Sequence, residues 1–334
     1  MLPPFGWNAV VTQWQFAPIV TGFVAVAAGL YIWGVLRVAR SHPARPWPAW
    51  RTGMFLGGLA VVALATQSGI GAYDDLLFWD HMVQHLMLVM IAPPLLIVGQ
   101  PITLLMHASR NPLHTWTKRV VRSRVASFLT WPAFGFVAYA CAIAAAHLTN
   151  IANLVEANQA VHDSEHVAFL AVGYLFFLPI LGREPIRWRL SYPMRFVILI
   201  LVMPVDTFTG LVLGYGNAGT PGVPAVEPAW APGPVQDLHL GGAVMWIGGD
   251  AIMFGLMMLV FLMWSMDERA ATSGHGWLES ARRTSLEALV TSHEAPQAAA
   301  DDWSGRGGID DDEHLAAYNA FLARLNDAES GRRQ

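Results

Sequence analysis

Seven apolar stretches of roughly 19–26 residues dominate the chain, at about 17–39, 52–71, 76–99, 126–149, 160–182, 193–214 and 239–265. About 20 apolar residues in a helix cover the hydrocarbon core of a bilayer. A helix is also one of the two structures able to satisfy its own backbone polar groups there. Only 13% of the 334 residues are charged, about half the share of a soluble domain. The expected fold is all-α, an integral membrane bundle of seven transmembrane helices in a lipid bilayer. The single cysteine, Cys141, leaves no disulfide framework and no Cys-x-x-Cys metal or redox motif.

The connections sort by charge. Arg37, Arg40, Arg45 and Arg51 lie between stretches one and two. Arg110, Lys118, Arg119, Arg122 and Arg124 lie between three and four, and Arg183, Arg187, Arg189 and Arg195 between five and six. The N-terminus and the other three connections hold no Lys or Arg. The positive-inside rule then predicts the N-terminus outside and the C-terminus in the cytoplasm. With no basic residue ahead of the first stretch and no A-x-A-like site behind it, a cleavable signal peptide is not expected. Residues 1–265 form the expected transmembrane domain. Residues 266–334 form a polar, acid-rich tail, expected to be mostly disordered with a short amphipathic helix at about 310–328. The basic residues are orientation signals, and nothing points to nucleic acid.

Against this background a few polar residues stand out. At 1.5 Å per residue, His81 and His85 fall roughly 8 and 13 Å below the outer boundary, and His162 and His166 roughly 3 and 9 Å. His147 closes helix four at that end and His239 opens helix seven. Asp206 lies in the outer half of helix six, and Asp250 near the middle of helix seven. Ionisable residues inside a membrane mark a functional site facing the bundle interior, and here they share one level. In "HMVQH" and "HDSEH" the histidines stand at i and i+4, on one helical face. Two such imidazoles can grip one metal ion, and Gln84 and Glu165, each just before the second histidine, can orient an imidazole in support. Acidic Asp74, Asp75, Glu156, Glu227 and Asp237 in the outer loops would draw cations in.

Competing readings exist for each feature. A lone transmembrane histidine such as His147 or His239 is commonly a helix–helix hydrogen-bonding residue. Met82, Met87, Met90, Met203 and Met245 are ordinary packing residues as readily as soft copper ligands. "HDSEH" matches the H-x-x-E-H motif of inverted zincins, in which Glu165 would be the general base of a membrane metalloprotease. Its counterpart on helix three carries Gln84, which cannot act as a base. Bis-histidine haem needs ligands on opposite faces of a macrocycle, whereas i, i+4 pairs suit a compact ion. A transporter would continue its polar residues towards the cytoplasm, and these do not. No catalytic residue is assigned.

"HMVQHLMLVMIAPPLLIVGQPITLL", "VHDSEHVAFLAVGYLFFLPILG" and the terminal "LAAYNAFLARL" resemble the seven-helix CtaG family of cytochrome c oxidase assembly factors of bacterial plasma membranes. The resemblance implies a multi-pass plasma-membrane assembly factor that is not an enzyme. Its role would be maturing a haem–copper oxidase by supplying or holding copper at the outer face, with oxidase subunits as partners. By that match His81, His85, His162 and His166 are the expected copper ligands or their neighbours. His147, His239, Asp206 and Asp250 enter from depth alone. Ligation requires neutral imidazoles, so binding should weaken below roughly pH 6.5.

Overall fold

The computed structural model describes residues 2–6, 8–217, 220 and 229–269. Chain contacts divide it into two units, Met1–Ser265 and Met266–Gln334. The amphipathic helix expected at about 310–328 lies outside the described residues, as does most of the Gly/Pro-rich segment before the last helix.

The described residues are all helical or irregular, without a strand. Among the described residues six helices are long and apolar enough to cross a membrane, as in a multi-pass membrane protein: α1 (Pro18–Ser41), α2 (Ala49–Tyr73), α3 (Phe78–Ala108), α5 (Gln159–Leu181), α6 (Tyr192–Gly214) and α7 (Pro234–Arg269). The stretch expected at about 126–149 behaves differently. It gives a short helix, Arg124–Leu129, and then the apolar 17-residue α4 (Pro132–Leu148). The break sits at Trp131–Pro132, because a residue before proline is pushed out of the helical region; Trp131 is extended at φ −70°, ψ 126°.

Proline also shapes α3, which is expected at about 76–99 and runs on to Ala108. Pro93 and Pro94 withdraw the N–H groups that an α-helix aims at the Val89 and Met90 carbonyls. The preceding turn, Met87–Ile91, is a π-turn. Further on, Gln100 precedes Pro101 and adopts a left-handed conformation, φ 53°, which ends one helical segment and starts another. The new N-terminus is covered by Glu184, whose carboxylate accepts from Ile102 N at 3.0 Å and Thr103 N at 2.8 Å. Burial pushes this carboxyl up, while its bonds from Thr103 and Ile102 and the Arg51 charge hold it down.

The bundle core places α5 against both α3 and α4, α6 against α4 and α7, and the first half of α7 against α3. Two crossings are close because a side chain is missing. Gly173 of α5 lies on the Val89 carbonyl and the Pro93 ring, where a Cβ would collide. Gly210 of α6 meets the Gly242 carbonyl of α7, 2.7 Å from where its Cβ would stand. Without a hydrophobic drive between helices in lipid, such small-residue contacts hold them together. The α3–α5 crossing puts the two histidine motifs face to face.

Candidate metal centre

The α2–α3 connection, the first turns of α3 and α5, and the end of α4 converge at one end of the bundle. His81 and His85 project from one face of α3, ring centroids 4.0 Å apart; His162 and His166 do the same on α5 at 4.5 Å. The pairs meet: the His81 and His162 rings stack at 5.3 Å and 23°. His147 joins from α4, its ring 5.2 Å from that of His85, and Phe169 closes the floor 4.3 Å from His85. Five of the six histidines considered are therefore brought together.

Hydrogen bonds to carbonyls fix the tautomers along two lines. His147 Nδ1 lies 2.9 Å from the Ile143 carbonyl, which can only accept, so Nδ1 carries the proton and Nε2 a lone pair. That lone pair faces His85 Nδ1 at 3.1 Å, so His85 donates through Nδ1 and its own Nε2 is left as an acceptor. His85 Nε2 is buried without a hydrogen-bond partner among the described residues. It faces Glu165 Oε2 at 3.4 Å; that oxygen is likewise buried without a hydrogen-bond partner among the described residues and lies 3.7 Å from His81 Nε2.

The second line runs through Gln84, which is fully buried. Its amide nitrogen donates to the Ala65 carbonyl at 3.0 Å and to Asp74 Oδ2 at 2.6 Å. The amide oxygen therefore faces His166 Nε2, 2.7 Å away, so Nε2 carries the proton and Nδ1 keeps the lone pair. Beside it, His162 Nε2 is buried without a hydrogen-bond partner among the described residues, 3.8 Å from Asp74 Oδ2, while Gln159 Nε2 stands 3.5 Å from its Nδ1. Burial, with Asp75 adjacent, pushes the Asp74 carboxyl up to about 8; a bound cation acts in the opposite direction.

The two supporting residues thus work across the helix interface. Gln84 of the α3 motif orients His166 of the α5 motif, and Glu165 of the α5 motif faces both α3 histidines. Separations of 3.4–3.8 Å are too long for a hydrogen bond. They match two donors sharing one ion: bonds of about 2.0–2.2 Å at tetrahedral or trigonal angles separate donors by roughly 3.3–3.8 Å. These pairs belong to two sets, His81/His85/Glu165 and Asp74/His162/His166, each with its ligand atoms within 4.8 Å of one another. An apolar cleft of about 190 Å³, walled by Ala142, Ala146, Val155 and Ala168, reaches Glu165.

The other residues selected by depth lie elsewhere. Asp206 accepts from the Tyr139 hydroxyl at 3.1 and 3.2 Å, and Asp250 from Thr207 Oγ1 at 3.2 and 3.1 Å. His239 is exposed, with Nε2 3.0 Å from the Gly216 carbonyl. Asp80, beside His81 in sequence, is buried with neither carboxylate oxygen hydrogen-bonded among the described residues. Asp74 is the participant that sequence reasoning left among the acidic loop residues. Its signal was position: it starts the connection that leads straight into "DHMVQH".

Residues 29–267 match the model of the cytochrome c oxidase caa3 assembly factor family, Caa3_CtaG. Uncharacterised proteins of Mycobacterium bovis and Mycobacterium tuberculosis are each 29% identical to the chain over 273 residues, 79% of this chain and 41% of theirs. One from Mycobacterium leprae is 28% identical over 271 residues, again covering 41% of its length. The matched region thus spans about two fifths of these relatives. No solved structure matches. A family match over residues 29–267, which encloses both histidine motifs and helices α2 to α6 entire, shows that the chain belongs to the cytochrome c oxidase caa3 assembly factors.

Proposed function

We propose that the chain is a plasma-membrane assembly factor that receives copper as cargo in the histidine cluster and hands it to a haem–copper oxidase under assembly. The observation that carries this reading is the His85–Glu165 pair, two buried acceptors turned towards one another, with a second imidazole–carboxylate pair beside it. His85 Nε2 faces Glu165 Oε2, and His162 Nε2 faces Asp74 Oδ2, at separations suited to a shared cation. Lone pairs facing one another in a low-dielectric site cost free energy unless a cation lies between them. Imidazole with one carboxylate is a donor set that copper accepts. The family supplies the oxidase, the resemblance to it supplies copper, and the donors are of a kind that copper accepts.

On this reading the cluster lies on the outer side, the side that the positive-inside rule gives to the connections without Lys or Arg. His147 and Gln84 are not ligands: each spends its acceptor on another histidine and holds it in the tautomer that ligation needs. The test is metal analysis of the purified protein against His81→Ala/His85→Ala and His162→Ala/His166→Ala. Copper in the wild type and less in each double variant is expected. Its absence from the wild type, or unchanged copper in both variants, would sink the assignment. Oxidase activity in a deletion strain, with and without added copper, separates assembly from hydrolysis, since a protease role leaves copper loading intact and accumulates uncleaved substrate.

A further inference from the structure

We infer that the cluster is a two-ion centre in which copper ions occupy His81/His85/Glu165 and Asp74/His162/His166 side by side. The inference rests on the copper reading above and adds its stoichiometry and division of ligands. Donors to one ion lie at most about 4.4 Å apart when metal–ligand bonds are 2.0–2.2 Å. The six donor atoms do not form one such group. They fall into two, each within 4.8 Å, a few tenths of an ångström wider than a bound ion would draw them, and each with imidazole–carboxylate separations between 3.4 and 3.8 Å. A single ion in the second group leaves the first with the buried His85 Nε2 lone pair aimed at Glu165 Oε2, neither hydrogen-bonded among the described residues. A single ion in the first leaves His162 Nε2 and Asp74 Oδ2 3.8 Å apart with no hydrogen bond between them.

Each group also has its own means of setting tautomers. The Ile143–His147–His85 line frees the Nε2 of His85 for the first group. The Ala65–Gln84–His166 line frees the Nδ1 of His166 for the second. The stacked His81 and His162 rings, 5.3 Å between centroids, are the partition between the two positions. Charge agrees. Four neutral imidazoles and two largely buried carboxylates carry two negative charges, which two monovalent copper ions neutralise; a buried centre is costly unless its charges balance. The groups differ in access. The apolar cleft reaches Glu165 of the first, whereas Asp74 and His162 of the second are buried, with the exposed Asp75 3.5 Å from His162 Nδ1.

The experiment is an anaerobic Cu(I) titration of the full chain in detergent against a chromophoric Cu(I) chelator. It compares wild type, Glu165→Gln, Asp74→Asn and the double variant. Two equivalents in the wild type, one in each single variant and none in the double variant are expected. One equivalent in the wild type overturns the two-ion centre and leaves the copper reading standing, whereas none overturns both. Loss of both equivalents in either single variant overturns the division into two groups. Should a variant fail to purify as a single species, the wild-type count still decides between one ion and two.

Discussion

The histidine cluster and the Asp206–Asp250 region pose the same problem, buried ionisable groups among apolar helices, and solve it differently. Around Asp206 and Asp250 the hydroxyls of Tyr139 and Thr207 donate to the carboxylates, so the demand for a partner is met within the protein. In the cluster, Gln84 is fully paired while His85 Nε2, His162 Nε2 and Glu165 Oε2 have no hydrogen-bond partner among the described residues. A polar group satisfied by its neighbours reads as structure. One held rigid by its neighbours yet left without a partner reads as a site, because burial without compensation is costly.

Substitutions can break that contrast. The largest effect is expected from Gln84→Leu, which strips partners from the Ala65 carbonyl, Asp74 and His166 together. Each buried group left unpaired costs about 1–3 kcal/mol, so thermal unfolding should come markedly earlier and copper loading should fall with it. Gly173→Leu forces a side chain into the Val89 carbonyl and Pro93. Overpacking of this kind costs about 1–3 kcal/mol; it also separates the two motifs, so copper affinity should drop even in protein that remains folded. Tyr139→Phe removes the donor to Asp206 and is expected to cost on the order of 1 kcal/mol in the same melting assay, with copper content unchanged. Loss of copper in that variant would join the two regions into one functional unit. His239→Ala should be nearly silent, within about 0.5 kcal/mol and with full copper.

Much of this was legible in the chain itself. Hydropathy located the long helices, and the i, i+4 spacing of His81/His85 and His162/His166 put each pair on one face before any packing was known. What sequence could not fix was azimuth. Depth follows from 1.5 Å per residue, but direction around a helix turns by about 100° per residue and is set by neighbours. Asp206 and Asp250 lie on helices facing Tyr139 and Thr207, so depth alone grouped them with histidines they do not join. The crossed roles of Gln84 and Glu165 depend on the α3–α5 crossing at Gly173, a contact with no local signature. The division of the fourth stretch was written in Trp131–Pro132, a signal outweighed by the apolar residues on both sides.

The central claim is that nitrogen and carboxylate donors of the cluster, with no sulfur, hold copper in this protein. Copper K-edge X-ray absorption on the copper-loaded full chain tests it most directly. A first shell of nitrogen and oxygen at about 2.0 Å with the outer-shell scattering of imidazole is predicted, diminished by His81→Ala/His85→Ala. A shell dominated by sulfur, or an imidazole signal indifferent to those substitutions, would contradict the account.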